Sequence, residues 1–471
     1  MTRPAPHLLS LLATVGLLLA GCGGESSSGG GGPGDAGAGD GRPTRLVLIT
    51  LDTLRADRFD AERMPRLHAA AAEGLVFDSF HASTSVTLPT HASLLTGLHP
   101  WQHGALRNGV LLDEGLDTLA ERLGAAGYAT AAVVASYPLE RRFRADQGFD
   151  VYEDAFTLSS DKATWNEHEV PGGYFSSPAD SVVDRALAQL DAADGERQFF
   201  FWHFFDPHAP YGDGRPKPME LEVLLKAARN GDADLSKQLA RAQRLYDADV
   251  RFLDEQLGRL LDRLAADADR WATHVLVTAD HGESFGDDGS LGHGKRVSPP
   301  QIHVPTMLLS PAVSAGRRAD VAGSVDVAPT FLALAGLPTD GLPGRDLLAP
   351  VPAAPQAVGM RSLFGTAQRD IRTDGRALRV DAPRFYLVQG AAHFAGDGRT
   401  AERLGPADGV PEDGAAGAGG AAGASGDAPD PDDVARLFRG FALEVRERLE
   451  TMVEAGDAKT RAALDALGYL R

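Results

Sequence analysis

Cysteine is nearly absent from this chain of 471 residues: Cys22 is the only one. That scarcity excludes an internal disulfide, a Cys-ligated zinc cluster and a thiolate nucleophile in the folded body. Positive charge is also in short supply, with 46 Lys and Arg against 65 Asp and Glu and a net charge of −19. An acidic surface of this kind repels polyphosphate backbones and argues against nucleic acid as a partner. Long apolar runs are missing too, and the one from Leu8 to Ala20 falls short of the roughly 20 residues that a membrane-spanning helix needs. What remains is globular in composition, 43% hydrophobic and 24% charged, which excludes wholesale disorder and collagen-like repeats.

Arg3 followed by Leu8 to Ala20 has the charge and apolar length of an export signal. It closes on Leu19-Ala20-Gly21-Cys22, which resembles the lipobox of bacterial lipoproteins, where the cysteine becomes the acylated first residue. That resemblance implies a signal peptide over residues 1–21, a membrane anchor through lipid on Cys22, and a place in the bacterial cell envelope. Gly23 after the cysteine favours the outer membrane, facing the periplasm or the cell surface. Residues 22–43 are rich in Gly and Ser and read as a flexible tether. A second Gly/Ala-rich run, 409–431, divides the C-terminal region. The expected organisation is a catalytic domain over 44–350, a smaller portion over 351–408, and C-terminal helices over 432–471.

The body alternates apolar strand-like runs with amphipathic stretches, the pattern of an α/β domain with a mainly parallel sheet. Strands are predicted at Arg45–Leu51, Tyr128–Val134, Gln198–Phe204, Thr273–Ala279 and Val304–Leu309. Helical spacing marks Leu116–Ala126, Ser181–Leu190, Leu239–Leu264 and Val327–Ala335. Polar residues cluster just after strand ends, where open α/β sheets bind ligands. Asp52 follows the first strand and Asp280-His281 follows the fourth. An aspartate ending one strand and an Asp-His pair ending another can supply three ligands to one divalent cation.

Between these elements lies Ser85-Val86-Thr87-Leu88-Pro89-Thr90-His91-Ala92-Ser93-Leu94-Leu95-Thr96-Gly97. It resembles the nucleophile element of the sulfatase branch of the alkaline phosphatase superfamily, C/S-x-P-x-R followed by A-S-L-L-T-G. With Pro89 fixing the register, Thr87 falls on the nucleophile and His91 on the arginine. Asp52, Asp280 and His281 fall on metal-binding positions, and His208 in Phe205-Asp206-Pro207-His208-Ala209-Pro210-Tyr211 falls on the mid-chain histidine. The resemblance implies an alkaline phosphatase/sulfatase-like α/β/α sandwich with a smaller C-terminal portion. It also implies one divalent metal ion, with Ca, Mg, Mn and Zn equally admissible, held by Asp52, Thr87, Asp280 and His281, and an anionic ester as substrate.

Two departures narrow the chemistry. Sulfatases convert the Cys or Ser of the motif to formylglycine, and threonine stands there instead. Thr53 replaces a further aspartate, and Val133-Val134-Ala135-Ser136-Tyr137-Pro138-Leu139 stands where the family carries G-K-W-H-L-G. The remaining set resembles one-metal phosphonate monoester hydrolases and Thr-dependent headgroup transferases. Asn108 and His293 match positions that hold non-bridging oxygens in such enzymes, with His91 a further candidate, and His208 is the expected general acid. The sequence therefore predicts a metal-dependent hydrolase of sulfuric or phosphoric esters working through a covalent Thr87 intermediate, phosphoesters favoured. Two alternatives stay open: transfer of a phosphoryl-linked headgroup at the cell surface, and an inactive metal-binding lipoprotein.

Overall fold

The computed structural model describes residues 41–159, 164–165, 168–169, 174–212, 218–294 and 296–351, then 356–360, 364–366, 378–380, 385–389, 392–396, 401–403 and 430–454. Cys22, the export signal, the tether before residue 41 and the Gly/Ala-rich run up to residue 429 lie outside the described residues.

The strands that build the main sheet are β1 (Thr44–Leu51), β2 (Leu75–Phe77), β3 (Ala129–Val133), β4 (Val151–Glu153), β5 (Arg197–Phe204), β6 (Ala272–Ala279), β7 (Thr306–Leu309) and β8 (Gly316–Arg318). Their order is β8-β2-β7-β6-β1-β5-β3-β4. From β6 to β4 every pairing is parallel. The sheet is mainly parallel, as expected, and β7 is the exception, running antiparallel to both β6 and β2. The chain returns from β6 to its immediate neighbour without a crossover helix, and such a return is antiparallel. Strand β1 is buried along almost its whole length, so Leu46-Val47-Leu48-Ile49 reads as a continuous apolar run rather than an alternation.

The helices that frame the sheet and the region after it include α1 (Thr87–Thr96), α2 (Leu119–Ala125), α3 (Ala179–Ala192), α4 (Leu235–Ala266), α5 (Val327–Leu334) and α6 (Pro431–Glu454). The pleat of β5 sorts them into layers. Phe199 packs on Phe331 of α5 and Phe201 on His91 of α1. Trp202, pointing the other way, donates its indole N–H to Gln189 of α3. Helix α2 begins later than its apolar spacing suggests because Thr118 and Glu121 form a capping box, which satisfies two N-terminal donors and sets the start. After the main sheet comes an antiparallel sheet of β9 (Gln356–Met360), β10 (Phe385–Gln389), β11 (Ala392–Gly396) and β12 (Ala401–Arg403). Helix α6 closes on it, with Phe441 stacked on Trp101 at 4.4 Å.

The turn after β1 is under backbone strain. Thr53 is β-branched yet sits at φ 58°, a left-handed conformation that such residues rarely adopt. Tyr246 of α4 holds it there: its hydroxyl donates to the Thr53 carbonyl at 2.8 Å and accepts from the Arg55 amide at 3.1 Å. Tyr246→Phe strips both partners at once inside the protein, and a buried group left without a partner costs about 1–3 kcal/mol. Urea unfolding should therefore show a lower midpoint at unchanged slope; an unaltered midpoint contradicts the clamp.

Candidate active site

Three neighbouring parallel strands finish level. Leu51 of β1 pairs with Phe204 of β5 and with Ala279 of β6, so the next residues are Asp52, Phe205-Asp206 and Asp280-His281. Strand register alone thus brings together two aspartates that lie far apart in sequence. Asp52, Asp280 and His281 each offer a ligand atom within 4.8 Å of the others, and all three are fully buried. Both oxygens of Asp52, Oδ2 of Asp280 and Nε2 of His281 are buried with no hydrogen-bond partner. Burying carboxylates unpaired is costly, and one such atom from each of the three residues lies within reach of a common point. Burial pushes the Asp52 carboxyl up to about 6. Burial first, and then the charge of Asp52, pushes Asp280 up to about 7. The donor set of two carboxylates and one imidazole fits a divalent cation.

Ring tautomers sort the histidines. His281 donates from Nδ1 to the Gly282 carbonyl at 3.0 Å, which leaves the lone pair on Nε2, facing Asp280 Oδ2 at 3.5 Å and Asp52 Oδ1 at 3.9 Å. Burial holds its pKa down to about 4, so the ring is neutral and ready to ligate. The Asp280 carboxylate is fixed from behind by the backbone amides of Thr53 and His281, at 3.2 and 2.7 Å. The strained Thr53 turn therefore serves the site directly.

Thr87 is the first residue of α1, a helix buried from end to end. Its hydroxyl faces the Asp52 carboxylate loosely, outside hydrogen-bond geometry but near enough to favour the charged form. The position also sits at the positive end of the helix dipole, which suits an anionic substrate. Asn108 Oδ1 accepts the Leu88 amide at 2.8 Å, which places this side chain beside the first turn of α1. His293 donates from Nδ1 towards Glu283 at 3.3 Å, and its ring stands 4.5 Å from that of His281 and 5.1 Å from that of His208. Burial disfavours charge on His293, but Glu283 outweighs it and raises the pKa above the usual value. His208 stacks on Phe205 at 4.2 Å and donates from Nδ1 to the Ala209 carbonyl at 2.6 Å.

His91 lies beside the cluster, with Nδ1 3.8 Å from Asp280 Oδ2. Its Nδ1 donates to the Thr87 carbonyl at 2.8 Å and its Nε2 accepts from the Thr50 hydroxyl at 2.9 Å. Both nitrogens are engaged within the protein and burial holds the pKa down to about 3. In this arrangement the ring ties the first turn of α1, which carries Thr87, to β1. Sequence reasoning assigned no role to Glu283, Tyr211 or His203. Glu283 bridges His293 and the Tyr211 hydroxyl, the latter at 3.0 Å, and its place in Asp280-His281-Gly282-Glu283 was the available signal. A roomier cavity of about 540 Å3 opens near the start of β6, among Ala69, Leu261, Trp271, Thr273 and Leu309. No histidine lines it, so the chemistry belongs at the strands' carboxyl ends.

A buried carboxylate and imidazole cluster at the edge of a mixed sheet, facing a hydroxyl at a helix N-terminus, defines an alkaline phosphatase/sulfatase-like α/β protein. Residues 44–337 match the Sulfatase family profile, and the chain belongs to that family. An ulvan-active sulfatase from Formosa agariphila is 28% identical over 310 residues, covering 60% of this chain and 59% of its own length. The chain thus spans under two thirds of that relative. The multifunctional alkaline phosphatase superfamily protein PehA of Trinickia caryophylli is 26% identical over 395 residues, covering 64% of this chain and 76% of its own. Among solved structures, the phosphonate monoester hydrolase of Agrobacterium radiobacter superposes with a TM-score of 0.58 at 19% identity, over 87% of this chain and 96% of its own.

The raised Asp280 pKa fixes a sign. In cation-free protein Asp280 binds its proton more tightly folded than unfolded, so its contribution falls as pH rises from about 4 through about 7. Asp280→Asn should gain thermal stability over the wild type at pH 8 in EDTA and show little gain at pH 5. In excess Mn2+ at pH 8 the order should reverse, because the variant has lost a ligand charge. Parallel melting curves in all conditions contradict the assignment.

Proposed function

We propose that the protein is a metal-dependent hydrolase of phosphoric or phosphonic esters that works through a covalent Thr87 intermediate. The observation that carries this reading is the hydroxyl of Thr87 at the first turn of α1, beside Asp52 and the orphaned ligand atoms. The Cβ of threonine bears a methyl group, so oxidation there stops at a ketone, which hydrates poorly, and the formylglycine route is closed. The intermediate must then be cleared by water attacking the central atom, a path open to phosphorus and poor at sulfur.

Asp52, Asp280 and His281 would hold one divalent cation, which when bound acidifies a neighbouring hydroxyl and screens charge on the ester oxygens. Thr87 Oγ, having lost its hydroxyl proton to solvent, attacks phosphorus as the P–O bond to the leaving alcohol breaks. His208 gives that alcohol its proton. His293, whose protonation Glu283 favours, and the Asn108 carboxamide receive the non-bridging oxygens. Water then attacks phosphorus, the P–O bond to Thr87 breaks, and the threonine hydroxyl is restored. Lipid on Cys22 would hold the enzyme in the cell envelope, with the glycine-rich tether giving a reach of roughly 25 Å.

Purified, Mn2+-loaded protein should turn over p-nitrophenyl phosphodiester or phosphonate with kcat/KM well above that for p-nitrophenyl sulfate. Thr87→Ala should abolish turnover, whereas Thr87→Ser should keep phosphoryl transfer. His208→Ala should slow alkyl esters more than nitrophenyl esters, because an acidic phenol leaves without help. Fast multiple-turnover sulfate hydrolysis with weak phosphoesterase activity contradicts the preference.

A further inference from the structure

His203 lies near the end of β5, amid Phe199-Phe200-Phe201-Trp202 and Phe204, and is fully buried. Its pleat position turns it to the α1 face, where it meets His91 edge-on with ring centroids 5.0 Å apart. The Ala135 amide donates to its Nδ1 at 3.2 Å. A backbone amide can only donate, so Nδ1 holds the lone pair and the ring proton sits on Nε2. That Nε2 has no hydrogen-bond partner in ideal geometry and lies 3.4 Å from Asp52 Oδ2. Oδ1 of the same carboxylate faces His281. The two oxygens of Asp52 therefore look in different directions, one to the cation pocket and one to a buried N–H.

We propose that His203 is a positioning residue that orients Asp52 for cation binding, by donating from Nε2 to Oδ2 while Oδ1 is presented to the cation. The proposal rests on the cation-dependent reading given above. The tautomer also excludes His203 as a ligand, since its Nε2 carries a proton where His281 Nε2 carries a lone pair. Two imidazoles that border the same carboxylate thus take opposite roles, set by a carbonyl behind one and an amide behind the other. Carboxylate ligands depend on such outer partners, and their loss costs roughly 10–100-fold in metal affinity.

The test is a calorimetric Mn2+ titration of wild type, His203→Leu and His203→Gln, with ring 15N NMR of the metal-free wild type. Gln places an N–H donor where the imidazole has Nε2; Leu fills the space without one. The expected result is a Mn2+ affinity weaker by roughly 10–100-fold in His203→Leu, largely recovered in His203→Gln, with similar metal-free melting temperatures for the two variants. The NMR should show His203 protonated at Nε2. Wild-type affinity in His203→Leu, equal losses in both variants, or a proton on Nδ1 would each overturn the proposal. The NMR arm decides the tautomer even if a variant fails to fold. No Mn2+ binding by the wild type overturns the cation reading itself, a failure distinct from equal binding by wild type and variants.

Discussion

Asp52 and Asp280 are pressed together by the sheet itself. Adjacent parallel strands in register end on Leu51 and Ala279, and the next residue of each is a fully buried carboxylate. Burial raises both pKa values, so the pair resists full ionisation until positive charge arrives. Most of the surrounding detail answers this constraint. The Thr53 and His281 amides fix one oxygen of Asp280, Tyr246 pins the strained turn that supplies the first of them, and His281 turns a lone pair towards both acids. A cation held there would offset what the fold otherwise bears as unpaired buried charge.

The helix that carries Thr87 is tied to the same floor. His91 joins Thr50 on β1 to the Thr87 carbonyl at the start of α1, so the hydroxyl and the acids are referenced to one strand. A histidine here in place of an arginine changes the local electrostatics: the ring is neutral and its hydrogen bonds stay within the protein. In the proposed mechanism, polarisation of a substrate would then fall to His293, to Asn108, to the N-terminus of α1 and to a cation held by the acids. Glu283 favours protonation of His293 and is itself steadied by Tyr211.

Much of this was legible in the sequence, for physical reasons. Apolar runs ending in Asp52 and in Asp280-His281 marked both the strands and the edge where ligands gather, and Pro89 set the register that placed Thr87. Other features carried no local signal. Val304–Leu309 reads as a strand, but its antiparallel sense depends on which neighbour it joins. His203 sits in an aromatic run that looks like uninterrupted core, and only the amide behind its ring reveals its proton. His91 takes its partners from β1 and from its own helix turn, so spacing could not tell an anchor from an oxygen-binding group. The left-handed Thr53 is likewise set by a tyrosine on a distant helix.

The central claim is that Thr87 itself becomes covalently phosphorylated. Acid quenching of Mn2+-loaded protein during turnover of bis(p-nitrophenyl) phosphate, followed by peptide mass spectrometry, tests it most directly. The account predicts a nitrophenyl phosphoryl adduct on the Thr87 side chain that disappears as substrate is exhausted. An unmodified Thr87 throughout turnover, or a Thr87 peptide lighter by two hydrogens from oxidation to a ketone, would contradict it.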